Sequence, residues 1–422
     1  MDTNYLPRIA DGVLAENLKT FPAVYIAGPK WCGKTRTGEQ HAKSALYMQD
    51  PDEFEANMRT ADIKPSMLLA GDKPRLLDEW QVAPVLWDAV RFAVDRSGGE
   101  RGQYILTGSA VVKEGTTLHT GTGRIARMVM RPMTLFESQE SNGQVSLQSL
   151  FDDSPDIEAI SPLTLESLAF ALARGGWPEA VKVGGSASLR QVYDYVEAVI
   201  NSDMSKIDQV QRDPTRVRAL MRSLARNIST QANLSTLRSD MRGEEEVLSV
   251  NTISSYLNTL SKLFVSEDLR AWNPATRSAT AVRTSPTRHF VDPSIAVALL
   301  RMNPEGLLKD LNTFGLLFES LCIRDLRVYA EHIDGETFHY RDSYGLEADA
   351  VVQLKDGRWG AIEVKVGNKE IEQAATNLLK LKDTVNTEKM NEPSFLMVIT
   401  AGKYGIRRKD GVYIVPIGCL KY

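Results

Sequence analysis

The segment Gly28-Pro29-Lys30-Trp31-Cys32-Gly33-Lys34-Thr35 constrains this chain more than any other. It follows an apolar run, Ala23–Ala27, that reads as a buried strand, and it precedes a stretch of helical character. A strand, a glycine-bounded loop and a helix start, in that order, make a cradle for phosphate. Gly28 and Gly33 let the backbone curl so that its N–H groups converge, and the helix adds the positive end of its dipole. The spacing G-x-x-x-x-G-K-T fits a phosphate loop, in which Lys34 reaches the β- and γ-phosphates and the Thr35 hydroxyl ligates Mg2+. Gly28 through Thr35, with Arg36 beside them, are therefore the expected cofactor-binding residues, and ATP with Mg2+ the expected cofactors. Cys32 inside the loop reads as a passive filler, since thiol reactivity needs a lowered pKa.

A second element supports the first. Arg75-Leu76-Leu77-Asp78-Glu79 is an apolar strand ending in two acids. Asp78 is expected to hold Mg2+ through water, and Glu79 to orient and deprotonate the attacking water. Lys34, Asp78 and Glu79 thus form the expected catalytic set. The bland alternative is a strand that ends in a solvated acidic turn.

The rest of the chain divides by texture. Up to about residue 135, short apolar strands (Ala23–Ala27, Leu46–Met48, Arg75–Asp78, Tyr104–Thr107 and Ile125–Met130) alternate with helical stretches such as Trp87–Arg96. That alternation predicts an α/β domain with a mostly parallel sheet over residues 1–140. Residues 141–161, rich in Ser, Asp, Gln and Pro, read as a linker. Residues 162–310 read as mainly helical, with turn signals at Gly175-Gly176 and Gly184-Gly185. From 311 to 422 strands return: Thr337–Arg341, Ala348–Gln353, Trp359–Val366, Ser394–Thr400 and Gly411–Pro416. At 422 residues, two or three domains are expected. Three separated cysteines argue against a disulfide framework, and five histidines show no zinc-ligand spacing with them. The lack of a secretory leader or a spanning apolar run predicts a cytoplasmic protein without membrane contact. A net charge of −4 excludes a globally basic nucleic-acid binder, though not a local basic patch.

The quoted loop, together with Leu76–Gln81, Tyr104–Ser109 and Gly123–Ser138, resembles the ATPase domain (AAA_14-like) of a bacterial and archaeal AAA family that carries a C-terminal domain of unknown function 4143. Ala173–Val181, Arg288–Ala296, Leu316–Leu321, Leu346–Val352 and Gly360–Gly367 resemble the family's second half. The resemblance implies a P-loop NTPase sheet followed by a helical winged-helix region and a restriction-endonuclease-like α/β domain. It also implies that Ser109 or Thr107, ending the next strand, senses the γ-phosphate; a capping role in a turn is the alternative. Arg124 and Arg127 are candidates for an arginine finger offered to a neighbouring subunit, so an oligomer is allowed but not required.

Two further patterns carry chemistry. Between Arg212 and Arg238 lie six arginines and one acid, Asp213, with Arg218, Arg222 and Arg226 spaced as one helical stripe. Two helices follow, the second capped by Ser249. A strand over Phe264–Trp272 and the stretch 282–291 would then form a wing. This reads either as a DNA contact through phosphates or as a packing module with a solvated basic face, acidic Glu244-Glu245-Glu246 lying nearby. Near the C-terminus, Asp349 and the Glu363-Val364-Lys365 triplet sit on successive strands and resemble the D…ExK core of metal-dependent nucleases, with Glu319 and Gln373 completing it. A simple strand ion pair is the alternative. The leading expectation is an AAA-type ATPase that couples hydrolysis to a DNA- or protein-binding C-terminal half. An ATP-gated metal-dependent DNA nuclease and a slow nucleotide switch stand beside it.

Overall fold

The computed structural model describes residues 5–109, 120–206, 210–241, 248–274, 285–385 and 390–422. The chain forms two compact units. One comprises residues 1–132, 202–211 and 259–264, and the other residues 133–201, 212–258 and 265–422.

In the first unit, strands β1 (Ala23–Ala27), β2 (Ser44–Tyr47), β3 (Arg75–Asp78), β4 (Tyr104–Gly108) and β5 (Ile125–Val129) form a parallel sheet in the order β2-β3-β4-β1-β5. Each lies within two residues of its expected run. Every residue of β1 is buried, as a strand covered on both faces must be. Ala23, Tyr25 and Ala27 join Trp80, Leu86 and Val90 on one face, while Val24 and Ile26 join Leu14, Leu76, Ile105 and Met128 on the other. Because the strands are parallel, their C-terminal ends share one edge of the sheet. The loop after β1, the acids after β3 and the polar residues closing β4 all gather there, which is where ligands bind in open α/β sheets.

The second unit contains β6 (Val145–Ser146), β7 (Glu158–Ile160), β8 (Gly335–Arg341), β9 (Glu347–Leu354), β10 (Trp359–Lys365), β11 (Phe395–Thr400), β12 (Tyr404–Arg407), β13 (Tyr413–Pro416) and β14 (Leu420–Lys421). Seven of these form a mixed sheet, β7-β12-β13-β11-β10-β9-β8, and β6 pairs with β14. The helix Ile371–Thr384 joins the parallel strands β10 and β11, and its Ala374, Ala375, Leu378 and Leu381 pack on Val351, Trp359, Ala361 and Val398.

This arrangement corrects the expected domain limits. Residues 141–161 are not a free linker: β7 pairs antiparallel with β12 and β6 parallel with β14. Their strands of two and three residues are too short to show alternation in sequence, and their partners lie far along the chain. The helical region does not stand alone either, since it shares a unit with the C-terminal sheet apart from 202–211 and 259–264.

A buried polar knot holds the second unit together. Arg324 donates to Asp292 (2.9 Å) and Asp325 (2.9 Å), all three almost wholly buried. Asp292 also accepts the Gly176 N–H (2.9 Å), and Asp325 the Leu135 N–H (3.0 Å). Trp177 Nε1 donates to Ser294 (3.1 Å). The motifs Arg174–Pro178, Val291–Ser294 and Cys322–Asp325 are thus parts of one structural joint. Burial pushes the Asp325 carboxyl up to about 6 even though Arg324 opposes the rise. Removing one partner would strand a buried charge, a loss of about 3–5 kcal/mol. Gly176 permits the approach, because a Cβ there would meet the Met133 carbonyl oxygen at 2.0 Å and its nitrogen at 2.7 Å. Gly176→Ala should therefore destabilise the second unit by roughly 3 kcal/mol or more, seen as a lowered melting temperature. A variant melting with the wild type would show that the contact yields freely.

Candidate active site

The loop after β1 is held by backbone geometry that few sequences allow. Gly28 has φ +154°, and a Cβ there would lie 2.1 Å from the Met130 carbonyl oxygen. Trp31 and Gly33 also have positive φ, at 67° and 101°. Together they curl the chain into the start of the helix Lys34–His41. Cys32 is fully buried with its Sγ 3.3 Å from the Met130 oxygen, which fits the filler reading. Lys34, 5% exposed, folds back so that Nζ donates to the Pro29 carbonyl (2.7 Å). Trp31 is 54% exposed, and Arg36 pairs with Glu39 one turn along the helix (3.1 Å).

The acids stand beside this loop. Thr35 Oγ1 donates to Asp78 Oδ1 (2.7 Å), and Thr107 Oγ1 donates to the same oxygen (2.5 Å). Glu79 takes a left-handed backbone (φ 53°), and its N–H donates to Thr107 Oγ1 (3.3 Å). Its carboxylate accepts from Ser109 Oγ (3.2 Å) and from the Gln81 amide. The next residue, Trp80, anchors that turn by packing edge-on to Tyr25 (5.7 Å) and against Trp87 (4.8 Å). Of the two candidate sensors, Thr107 thus meets both the Asp78 carboxylate and the Glu79 backbone, and Ser109 meets the Glu79 carboxylate. Oxygen donors from Thr35 and Asp78, already in contact, suit a hard cation such as Mg2+.

Three contacts here escaped the sequence reading. Gln81 holds Glu79. Asp203, from the segment 202–211, ion-pairs with Lys30 of the loop (2.6 Å) and is itself almost buried. Arg8 reaches the loop from the start of the chain. None leaves a local signal, because each partner is distant in sequence or looks like an ordinary polar residue. Neither candidate finger stands unengaged: Arg124 pairs with Asp95 (2.9 Å) and Arg127 lies over the Tyr25 ring (5.5 Å).

In the second unit, β9 and β10 bring Asp349, Glu363 and Lys365 together. Lys365 Nζ sits 2.7 Å from Glu363 and 3.4 Å from Asp349, and Asp349 accepts the Val364 N–H (2.7 Å). Glu319 belongs to the same electrostatic group; its carboxyl is held well above the usual range by desolvation first, then by Asp349. Gln373 instead donates to Asn377 (2.9 Å). Among the described residues, no three acidic, histidine or cysteine side chains form a ready metal cage, and Lys365 supplies the counter-charge instead. The Glu363 Oε1 atom is buried without a hydrogen-bond partner.

The arginine stripe is largely neutralised. Arg218 forms a two-pronged contact with Glu197 (2.7 Å each), and Arg226 meets Asp240 (3.5 Å), leaving Arg222 exposed. Ser249 caps its helix as expected, accepting the Thr252 N–H (3.1 Å). Antiparallel bridges join Ser266 to Phe290 and Leu269 to Thr287 where a wing was expected. Residues 282–284 of that expected wing, and Glu244–Glu246, lie outside the described residues.

A pH dependence follows from the acidic cluster. The Glu363 carboxyl, 2% exposed, is pushed up to about 7 by desolvation first and by Asp349 second, with Lys365 opposing. Its folded value lies above its ordinary 4.5, so the fold holds the proton more tightly than the unfolded chain does. The cost of ionising it is absent below pH 4.5, grows as pH rises and is complete above about 7. Relative to wild type, Glu363→Gln should gain on the order of 3 kcal/mol across that window. Urea denaturation in chelator at the two ends of the window measures it; a difference that does not change with pH would contradict the assignment.

Three family models match in succession. Residues 20–139 match an AAA domain, residues 165–306 a domain of unknown function (DUF8612), and residues 314–420 a domain of unknown function (DUF4143). No curated protein matches the chain significantly. Among solved structures, the chain is similar to the Walker-type ATPase PABY2304 of Pyrococcus abyssi at 15% identity, covering 70% of this chain and 96% of that one, with a TM-score of 0.42. It is also similar to a chain of the Drosophila ORC bound to DNA (12% identity, 65% and 88% covered, TM-score 0.22) and to the Pyrococcus furiosus Hef helicase domain (11% identity, 93% and 89% covered, TM-score 0.19). The chain thus matches an AAA domain over the segment that builds its parallel five-stranded sheet and a DUF4143 domain over its C-terminal segment.

Proposed function

We propose that the first unit binds and hydrolyses ATP with Mg2+, and that the second unit passes the nucleotide state to a DNA or protein partner. The observation that carries the first part is the junction of Thr35, Asp78 and Thr107 beside a Glu79 carboxylate held by Ser109 and Gln81. In this reading Lys34 exchanges the Pro29 carbonyl for phosphate oxygens, and the loop N–H groups take the remaining phosphate charge. Thr35 and Asp78 would hold Mg2+, which when bound neutralises charge on the β- and γ-phosphates. Glu79 orients a water and accepts its proton, with Ser109 and Gln81 fixing the carboxylate. Catalysis then rests on positioning and charge rather than on a covalent intermediate.

Lys34→Ala and Glu79→Gln should each lower ATP turnover by about 100-fold or more. Turnover unchanged in both variants would remove this site from the reaction. A slow switch, hydrolysing once per binding event without stimulation by nucleic acid, is the neighbouring outcome of the same assay.

A second reading concerns the acidic cluster of the second unit. The buried Glu363 Oε1 without a partner, beside Asp349 and Lys365, supports a D…ExK-type site for Mg2+ or Mn2+ acting on DNA. Asp349 and Glu363 would hold the cation, and Lys365 would then face the phosphate. Its competitor is a retained ion pair, which the closeness of Lys365 to both carboxylates favours. Labelled DNA incubated with either metal decides: cleavage lost in Asp349→Ala and Glu363→Ala supports the site, and cleavage that persists in both excludes it.

A further inference from the structure

The phosphate loop is braced from outside by a residue far from any recognised motif. Arg8 lies just before the helix Ile9–Thr20 with extended backbone (φ −118°, ψ 147°) and is 7% exposed. Its guanidinium donates through Nη1 to the Cys32 carbonyl (2.6 Å) and through Nη2 to the Arg131 carbonyl (2.8 Å). One planar fork thus ties the middle of the loop to the chain leaving β5. That same chain presses its Met130 carbonyl against Gly28.

Arg8 is fixed in turn. Its backbone N–H donates to Asp11 Oδ2 (2.8 Å), and Asp11 also accepts from the Tyr5 hydroxyl (2.8 Å) and meets His41 Nε2 (3.3 Å). The Tyr5 hydroxyl lies 2.8 Å from Thr37 Oγ1. Thr37 and His41 belong to the helix that begins at Lys34, so Tyr5–Asp11 is strapped to the element carrying the loop.

The consequence follows from peptide geometry. In a planar trans peptide the C=O and the following N–H point in opposite directions. Fixing the Cys32 carbonyl toward Arg8 commits the Gly33 N–H to the opposite side of that peptide. A guanidinium bonded to the carbonyl also polarises the peptide and strengthens that N–H as a donor. We propose that Arg8 is a positioning residue for nucleotide binding: it never touches phosphate but sets the Gly33 amide that does. This rests on the ATP reading above and adds to it a residue outside the loop and the acids.

The test is a KM-against-kcat split in the full-length protein. Arg8→Met removes both hydrogen bonds while keeping much of the volume, and Arg8→Lys keeps the charge but loses the fork. Assayed well below its melting temperature, Arg8→Met should raise the KM for ATP about tenfold, with kcat changed by less than about threefold. Arg8→Lys should fall between Arg8→Met and wild type. Titration calorimetry with ADP should show the same order of affinities. If Arg8→Met does not fold, Arg8→Lys decides, with a KM raised about threefold or more expected. A folded variant with wild-type KM and ADP affinity, or one that loses only kcat, would overturn the proposal while leaving the ATP reading intact. Wild-type protein that binds neither ATP nor ADP would overturn both.

Discussion

The contact between Gly28 and the Met130 carbonyl sets the terms for the first unit. With a Cβ excluded by an oxygen only 2.1 Å from where it would stand, the loop can lie directly against the chain leaving β5. Cys32 fills the small space behind it, and Arg8 binds both sides of the seam. The loop's shape is therefore a property of the sheet's edge rather than of eight residues alone. Parallel pairing of β1, β3 and β4 then brings Thr35, Asp78, Glu79, Thr107 and Ser109 to that edge without further instruction.

The two units solve the problem of clustered carboxylates in opposite ways. In the first, Asp78 is satisfied by two hydroxyls and Glu79 by a hydroxyl and an amide, all neutral donors. Neutral partners leave the negative charge available to a cation or to a proton from water. In the second, Lys365 bridges Asp349 and Glu363, and the charges largely cancel within the cluster. Both carboxylates raise the Lys365 pKa against the effect of its burial, so the ammonium is firmly held. A cation entering there has to displace that ammonium, whereas a cation beside Thr35 and Asp78 displaces only a hydrogen bond between neutral and charged oxygens.

Much of the first unit was legible because its signals are local. An apolar run, a glycine-bounded loop and an acid pair each announce themselves within eight residues, and parallel alternation supplies the topology. What could not be read depends on distant partners. Glu197 and Asp240 turn the arginine stripe from a basic face into ion pairs, and nothing near Arg218 or Arg226 in sequence shows this. Residues 141–161 looked like a linker because strands of two or three residues have no period to detect. Gly175-Gly176-Trp177-Pro178 read as a turn signal, yet it is part of a buried joint around Arg324. Asp203, Gln81 and Arg8 became visible only when folding placed them against the loop and the acids.

In the function proposed, the loop and the two acids act on one nucleotide in separable steps, binding and hydrolysis. Titration calorimetry of ATP with Mg2+ into Glu79→Gln and Lys34→Ala separates the two steps. Glu79→Gln should hold ATP within about threefold of wild-type affinity, while Lys34→Ala should weaken binding by about tenfold or more. Equal affinity in all three proteins would contradict that proposal.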